Sequence, residues 1–428
     1  MSSFTEIDPR KKRAMRAIIY AQCAGAPASI FFINGFMLTY FSGLGFSSAT
    51  VLLLLTLPNL LPVLIMIPAA LVSDRLGMKK VGTIGLFGTI FGFFLVTIAG
   101  SFPYDLMKQA VIAGIIIFGT GIAVFASNFY ALLYPIIPDN IRGRYFGKMR
   151  LSWQSASIIL TLIASALLKI NSSIPMFQLV LATATILLAI RMIFYFRIPE
   201  LENQEKPRQG IVSSLRHIIG IPNFMPFCSY LFLITLCTGS LPWIFGLLEK
   251  DVLGFEKGII VLMGTLLLIG SLGGFYLGGK MVDRYGTKYV FLIGHFTYGL
   301  ILFLVLARDW FPMPYIVLIA ICTAMFGLIQ AASGIAFTSE LFVLIPAKNR
   351  SLSTAFATTL QMGGLALSGL IFSKVIDLKI LSDRWVLLGK SMSMYDAIFL
   401  GCGIGIILLI VTLGLVPSIV KNAQWIPR

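Results

Sequence analysis

The amino-acid sequence predicts an all-α membrane protein with twelve transmembrane helices in two pseudo-symmetric six-helix bundles. Three observations carry this reading: scarce charge, continuous apolar runs, and sequence marks repeated at a nearly constant offset. Hydrophobic residues fill 58% of the 428 positions and charged residues only 12%, against about 25% charged in a soluble domain. So little polar surface suits lipid rather than water as the solvent. Runs such as Val51 to Leu71, Ala110 to Ala126 and Ile404 to Val416 lack the alternation of barrel strands. Many reach the ~20 residues that a helix needs to cross the hydrocarbon.

In chain order the spans are expected at about 16–41, 47–73, 79–100, 108–137, 145–169 and 174–196, then about 222–247, 257–281, 288–307, 313–345, 351–375 and 394–417. Arg10, Lys11, Lys12, Arg13 and Arg16 precede the first. That span is too long for the ~7–15-residue core of a signal peptide, so it is expected to stay in the mature protein. The polar stretch 197–220 reads as a cytoplasmic linker between an N-terminal half, 1–196, and a C-terminal half, 221–428. Pro58, Pro62 and Pro68 are expected to interrupt the second span. Gly270, Gly273, Gly274, Gly278 and Gly279 along the eighth are expected to let a neighbouring helix approach closely.

Charge placement sets an orientation. With twelve spans, 24 of the 33 Lys and Arg fall in the terminal segments and the even-to-odd loops, and nine on the opposite side. Positive loops stay in the cytoplasm, so both termini are expected there, in a multi-pass protein of the cell (inner) membrane. The same distribution accounts for most of the net charge of +16. A nucleic-acid footprint would gather those charges on one soluble face, so no nucleic-acid partner is expected. Cys23, Cys228, Cys237, Cys322 and Cys402 lie inside apolar runs without metal-ligand spacing, and His217 and His295 are the only histidines. The reading is therefore no metal, no cofactor and no enzyme.

Two marks recur. Asp74-Arg75-Leu76-Gly77-Met78-Lys79-Lys80 follows the second span, and Asp283-Arg284-Tyr285-Gly286-Thr287-Lys288 follows the eighth, 209 residues on. Pro138 and Arg142 follow the fourth span, and Pro346 and Arg350 the tenth, 208 residues on. A duplicated six-helix unit with both copies oriented alike explains both offsets, as in transporters built from parallel repeats. A glycine after Asp-Arg lets the chain reverse tightly. The aspartate can face arginines of a neighbouring loop or accept from a helix N-terminus.

At these residues the sequence resembles the major facilitator superfamily, whose signature is Gly-x-x-x-Asp-Arg-x-Gly-Arg-Arg/Lys after the second helix. The second copy keeps Gly279, Asp283, Arg284, Gly286 and Lys288; the first has Ala70 for the leading glycine and Met78 for the first basic residue. Pro138-Asp139-Asn140-Ile141-Arg142-Gly143-Arg144 resembles the family's loop after the fourth helix. The resemblance implies a conformational gate of Asp74, Arg75, Gly77 and Lys79 with Arg142 or Arg144. A second gate would join Asp283, Arg284, Gly286 and Lys288 with Arg350.

The resemblance also places a solute cavity between the halves, lined by spans 1, 4, 7 and 10. Polar side chains inside spans face the interior because lipid cannot satisfy them. The candidates for solute contact are Asn34, Asn128, Tyr230, Thr235, Gln330 and Gln361; helix–helix hydrogen bonding is the equally open alternative. Charged residues are absent near the middle of those four spans, which favours a neutral or weakly polar solute. Glu340 is the helical carboxyl singled out for coupling to protons or another ion, with a gate or cap as its alternative. Arg191 lies close enough to a helix end to snorkel.

The expected function is secondary active transport of a small organic solute by alternating access, in a monomer surrounded by lipid. The alternatives are an uncoupled uniporter and a transporter-like multidrug or lipid-handling efflux protein. Asp74→Asn is expected to change both transport kinetics and conformational labelling. Kinetics and labelling both unchanged would refute the gate.

Overall fold

The computed structural model describes residues 8–133, 135–138, 141–201, 219–344 and 350–414. The side chains of Asp74, Arg142 and Arg350 lie outside the described set, as do most of the 197–220 linker, His217 and Pro346. The chain forms two compact units, one of Met1–Phe32 with Leu61–Pro207, the other of Ile33–Leu60 with Arg208–Arg428.

The first unit holds α1 (Pro9–Ile30), the second part of α3 (Ser48–Leu76), α4 (Met78–Ala99), α5 (Tyr104–Leu133), α6 (Arg142–Ile170) and α7 (Ile174–Phe196). Glycines set its closest helix pair. A Cβ at Gly85 would lie 2.7 Å from Phe125 N, and one at Gly114 2.8 Å from Gly92 O. With only hydrogen at these positions, α4 and α5 approach backbone to backbone. Tyr145 closes α6 onto α1 by donating to Met15 O at 2.8 Å. Arg191 does not snorkel. It is 8% exposed, and its guanidinium sits 4.2 Å over the Phe125 ring.

The second unit holds α2 (Phe36–Gly43), the first part of α3, α8 (Phe224–Thr238), α9 (Leu241–Asp251), α10 (Lys257–Tyr285), α11 (Thr287–Leu306), α12 (Tyr315–Leu344), α13 (Arg350–Asp377) and α14 (Met394–Leu409). Here the glycine seam joins α10 to α12. Gly270 meets the backbone of Ala324, Gly274 that of Leu328, and Gly278 lies against Ala332. Gly273 and Gly279 take no part, since a Cβ at Gly273 would touch only a Leu328 methyl at 3.7 Å and one at Gly279 nothing within 4 Å.

Three expectations need correction. The first span is broken after Ile30 and resumes at Phe36, and the seventh breaks between Thr238 and Leu241. Pro58, Pro62 and Pro68 do not interrupt α3, which runs unbroken from Ser48 to Leu76. A break in lipid would strand many backbone groups, whereas each proline removes one donor. The helical architecture also carries one hairpin. Trp385–Leu387 pairs antiparallel with Lys390–Met392. Its turn, Leu388-Gly389, has φ +47° and +80°, the conformation of a tight two-residue hairpin.

Among the described residues, eleven helices are long and apolar enough to cross a membrane. Their outward faces carry exposed Leu64, Ile84, Phe87, Ile186, Ile293 and Phe296. Such faces suit lipid, while several buried polar groups are paired inside. The clearest is Arg308, 3% exposed, paired through both oxygens with fully buried Asp396. Burial alone would lower the Arg308 pKa, but the hydrogen bonds and charge of Asp396 hold it above its ordinary value. Asp396 also completes the capping box of α14 with Ser393. Asp396→Asn leaves the Arg308 charge buried without its counter-ion. It is expected to cost about 3–5 kcal/mol, read as a fall in the melting temperature of the purified protein.

Candidate functional site

The repeated turns have closely similar backbones. Gly77 has φ +95° and ψ 137°, Gly286 φ +83° and ψ 164°, and each precedes the next helix directly. Only glycine takes these angles without strain, which explains its place in both marks. In the first turn Arg75 is exposed, and Lys79 Nζ donates to Phe196 O at 2.9 Å. Met78 N donates to Glu200 Oε1 at 2.7 Å, so Glu200 supplies a carboxylate to the α4 N-terminus. Arg144 is exposed. In the second turn Asp283 and Arg284 are exposed, and Lys288 is 8% exposed. Glu340 accepts from Thr287 Oγ1 through Oε2, and among the described residues its buried Oε1 has no hydrogen-bond partner. Glu340 therefore sits against the second turn.

The solute-contact candidates occupy different settings. Asn128, 2% exposed, donates to Ser73 Oγ at 2.8 Å and ties α5 to α3. Tyr230 is fully buried, with its hydroxyl 2.6 Å from His295 Nδ1. Thr235 and Gln361 are half-buried, and Gln330 is exposed midway along α12.

Asn34 stands at the break in the first span. Its Oδ1 accepts from Phe36 N at 3.2 Å, which starts α2, and Gly35 turns the chain with φ +80°. The segment Ile33–Leu60 then packs into the second unit along its length. Gly264 lies against the Asn34 backbone, and Gly246 against Leu38. Further on, Lys250 Nζ reaches Ser42 Oγ and Ser48 Oγ, each at 3.1 Å, and Asp251 at 3.0 Å. Asp251 accepts from Ser48 at 2.7 Å and from the Tyr395 hydroxyl at 2.5 Å. Ser373 donates to Ala49 O at 2.8 Å.

Under this segment lies a small cavity, with room for about one water. Asn34, Glu249 and Thr323 supply its polar lining. Glu249 lies beyond the expected end of the seventh span at about 247 and is not among the candidates the sequence offers. Pro242, in the first turn of α9, was the available signal, because it restarts the helix. Glu249 is 2% exposed, so Glu340 is not the only buried helical carboxyl. Among the described residues, no group of three His, Cys, Asp or Glu side chains could hold a metal.

A predominantly helical chain with buried polar contacts and apolar exposed faces suits a membrane. The Major Facilitator Superfamily profile matches residues 23–369, and the chain belongs to that superfamily, a family of membrane transporters and not of enzymes. It is a multi-pass integral membrane protein. Solved structures share the fold at low identity. A D-xylose-proton symporter matches with TM-score 0.72 and 13% identity, over 97% of this chain and 99% of its own. A POT family transporter in complex with 5-aminolevulinic acid gives 0.73 and 13%, over 96% and 97%. The nucleoside transporter NupG gives 0.66 and 15%, over 95% and 98%. No curated protein matches the sequence.

The contact of Gly264 with Asn34 generates a prediction. Gly264→Val would drive a side chain into the Asn34 backbone and lift the segment from α10. The expected cost is about 1–3 kcal/mol, with faster hydrogen exchange across residues 33–60. Unchanged exchange there would show that this contact does not hold the segment.

Proposed function

We propose that the protein is a secondary active transporter that moves a small neutral or weakly polar organic solute by alternating access, coupled to protons. Membership of the superfamily carries this reading. The paired turns at Gly77 and Gly286, 209 residues apart with closely similar backbones, support a duplicated architecture. In that architecture α1 with α2 forms the first of twelve crossings, and α8 with α9 the seventh. The halves are 1–196 and 221–428, joined by a cytoplasmic linker at 197–220. Both termini lie in the cytoplasm of a cell (inner) membrane, and the protein works as a monomer in lipid.

The solute class rests on the side chains on offer. Gln330, Gln361 and Thr235 present amides and a hydroxyl that are not fully buried, and a dry cavity without counter-charge disfavours ions. Asn34, Asn128 and Tyr230 then act in packing and capping. The Asp74 and Asp283 turns, with Arg142, Arg144 and Arg350, form the gate, and Glu340 braces the second turn through Thr287. The similar structures include a D-xylose-proton symporter, a nucleoside transporter and a POT family transporter in complex with 5-aminolevulinic acid. Small organic solutes of those kinds are therefore the first to test.

A panel of sugars, nucleosides and small zwitterions, screened by thermal stabilisation, selects a solute for uptake into proteoliposomes. Accumulation above equilibrium under an imposed proton gradient, lost on adding a protonophore, is the expected outcome. Equal uptake with and without the gradient would overturn coupling and leave a uniporter.

A further inference from the structure

Glu249 is a carboxyl without a counter-ion. It is 2% exposed, and among the described residues no ion pair includes it. The charges next to it on α9, Lys250 and Asp251, are committed to each other and to Ser42, Ser48 and Tyr395. The packed elements bring few titratable groups. α2 carries only Tyr40, and α10 begins with Lys257 and holds its other charged residues beyond Tyr276. α14 brings Tyr395, bonded to Asp251, Asp396, bonded to Arg308, and buried Cys402. On α12, Cys322 precedes Thr323. No residue lining the cavity besides Glu249 carries a titratable group.

Asn34 Nδ2 and Thr323 Oγ1 line the same space, both buried and, among the described residues, without hydrogen-bond partners. Phe36 N donates to Asn34 Oδ1, which fixes the amide orientation and leaves the NH2 as the orphan. A metal ion would need an oxygen in that place. An amide donor suits a carboxyl or a water instead. A buried carboxylate with no cation is too costly to keep, so the group neutralises by taking up a proton.

We infer that Glu249, with Asn34 and Thr323 around one bound water, is a proton-binding site occupied when the Ile33–Leu60 segment is seated on the second unit. This deepens the transporter reading and rests on it for its role in coupling. Asn34 and Gly35 form one wall of the cavity, so lifting the segment hydrates the carboxyl. The O–H bond then breaks, the proton passes to water and the carboxylate keeps the electron pair. Protonation favours the seated segment, and deprotonation favours its release.

Infrared pH titration of the purified full-length protein tests the site without any solute, so it can fail while transport stands, and the reverse. The expected result is a carboxylic-acid carbonyl band that titrates, accounts for about one proton per protein, disappears in Glu249→Gln and persists in Glu340→Gln. In Glu249→Asp the band should shift rather than vanish, which keeps the test available if Glu249→Gln does not fold. A band unchanged in Glu249→Gln or in Glu249→Asp would overturn the inference, as would one that does not titrate. Thermal stabilisation by sodium chloride over choline chloride, abolished in Glu249→Gln, would overturn it in favour of a metal-ion site.

Discussion

Backbone hydrogen bonding in lipid is the constraint on which the rest of the structure depends. Hydrocarbon offers no partner to an N–H or C=O, so each must be satisfied within its helix or inside the protein. Among the described residues most membrane-length helices are unbroken, and α3 stays continuous through three prolines. The first and seventh spans depart from regular helix at 31–35 and at 239–240. Both sites are sheltered. Asn34 supplies a side-chain acceptor to Phe36 N, and Gly239 N donates to Thr235 O at 2.7 Å. The two breaks lie about as far apart in the chain as the repeated Asp-Arg-x-Gly turns.

Close packing is solved differently in the two units. Lipid tails are as apolar as leucine, so helices associate through shape, and glycine is the most effective shape. Gly85, Gly92, Gly114 and Gly121 join α4 to α5, whereas Gly270, Gly274 and Gly278 join α10 to α12. Those pairs are not equivalent under the repeat. Duplicated turns therefore coexist with divergent seams.

Much of the fold was legible because hydropathy reports directly on the solvent of each residue. The sixth span, at 174–196, coincides with α7, and most others agree within a few residues. Interruptions were harder to read. Pro58, Pro62 and Pro68 signalled a break that lipid forbids, while Asn34-Gly35 made one through a cap and a left-handed turn that hydropathy does not register. The site was legible in part. The turn glycines and Glu340 stood out by motif and charge. Glu249 did not, because its importance comes from burial beside Thr323, some 70 residues away in sequence. Glu200 was visible as part of a polar linker, but only packing shows that it caps α4.

The membership of Ile33–Leu60 has a consequence for how the gene product can be divided. In chain order this stretch lies between two parts of the first unit; by packing it belongs to the second. It leaves the first unit beside the left-handed turn at Gly35 and returns to it between Pro58 and Pro62, where Pro62 has no N–H to offer Pro58 O. A C-terminal half made alone would leave Gly246, Gly264 and Gly369 facing empty grooves and Lys250 without its serines. Residues 208–428 are thus not a self-sufficient module: residues 33–60 complete the interior of their unit.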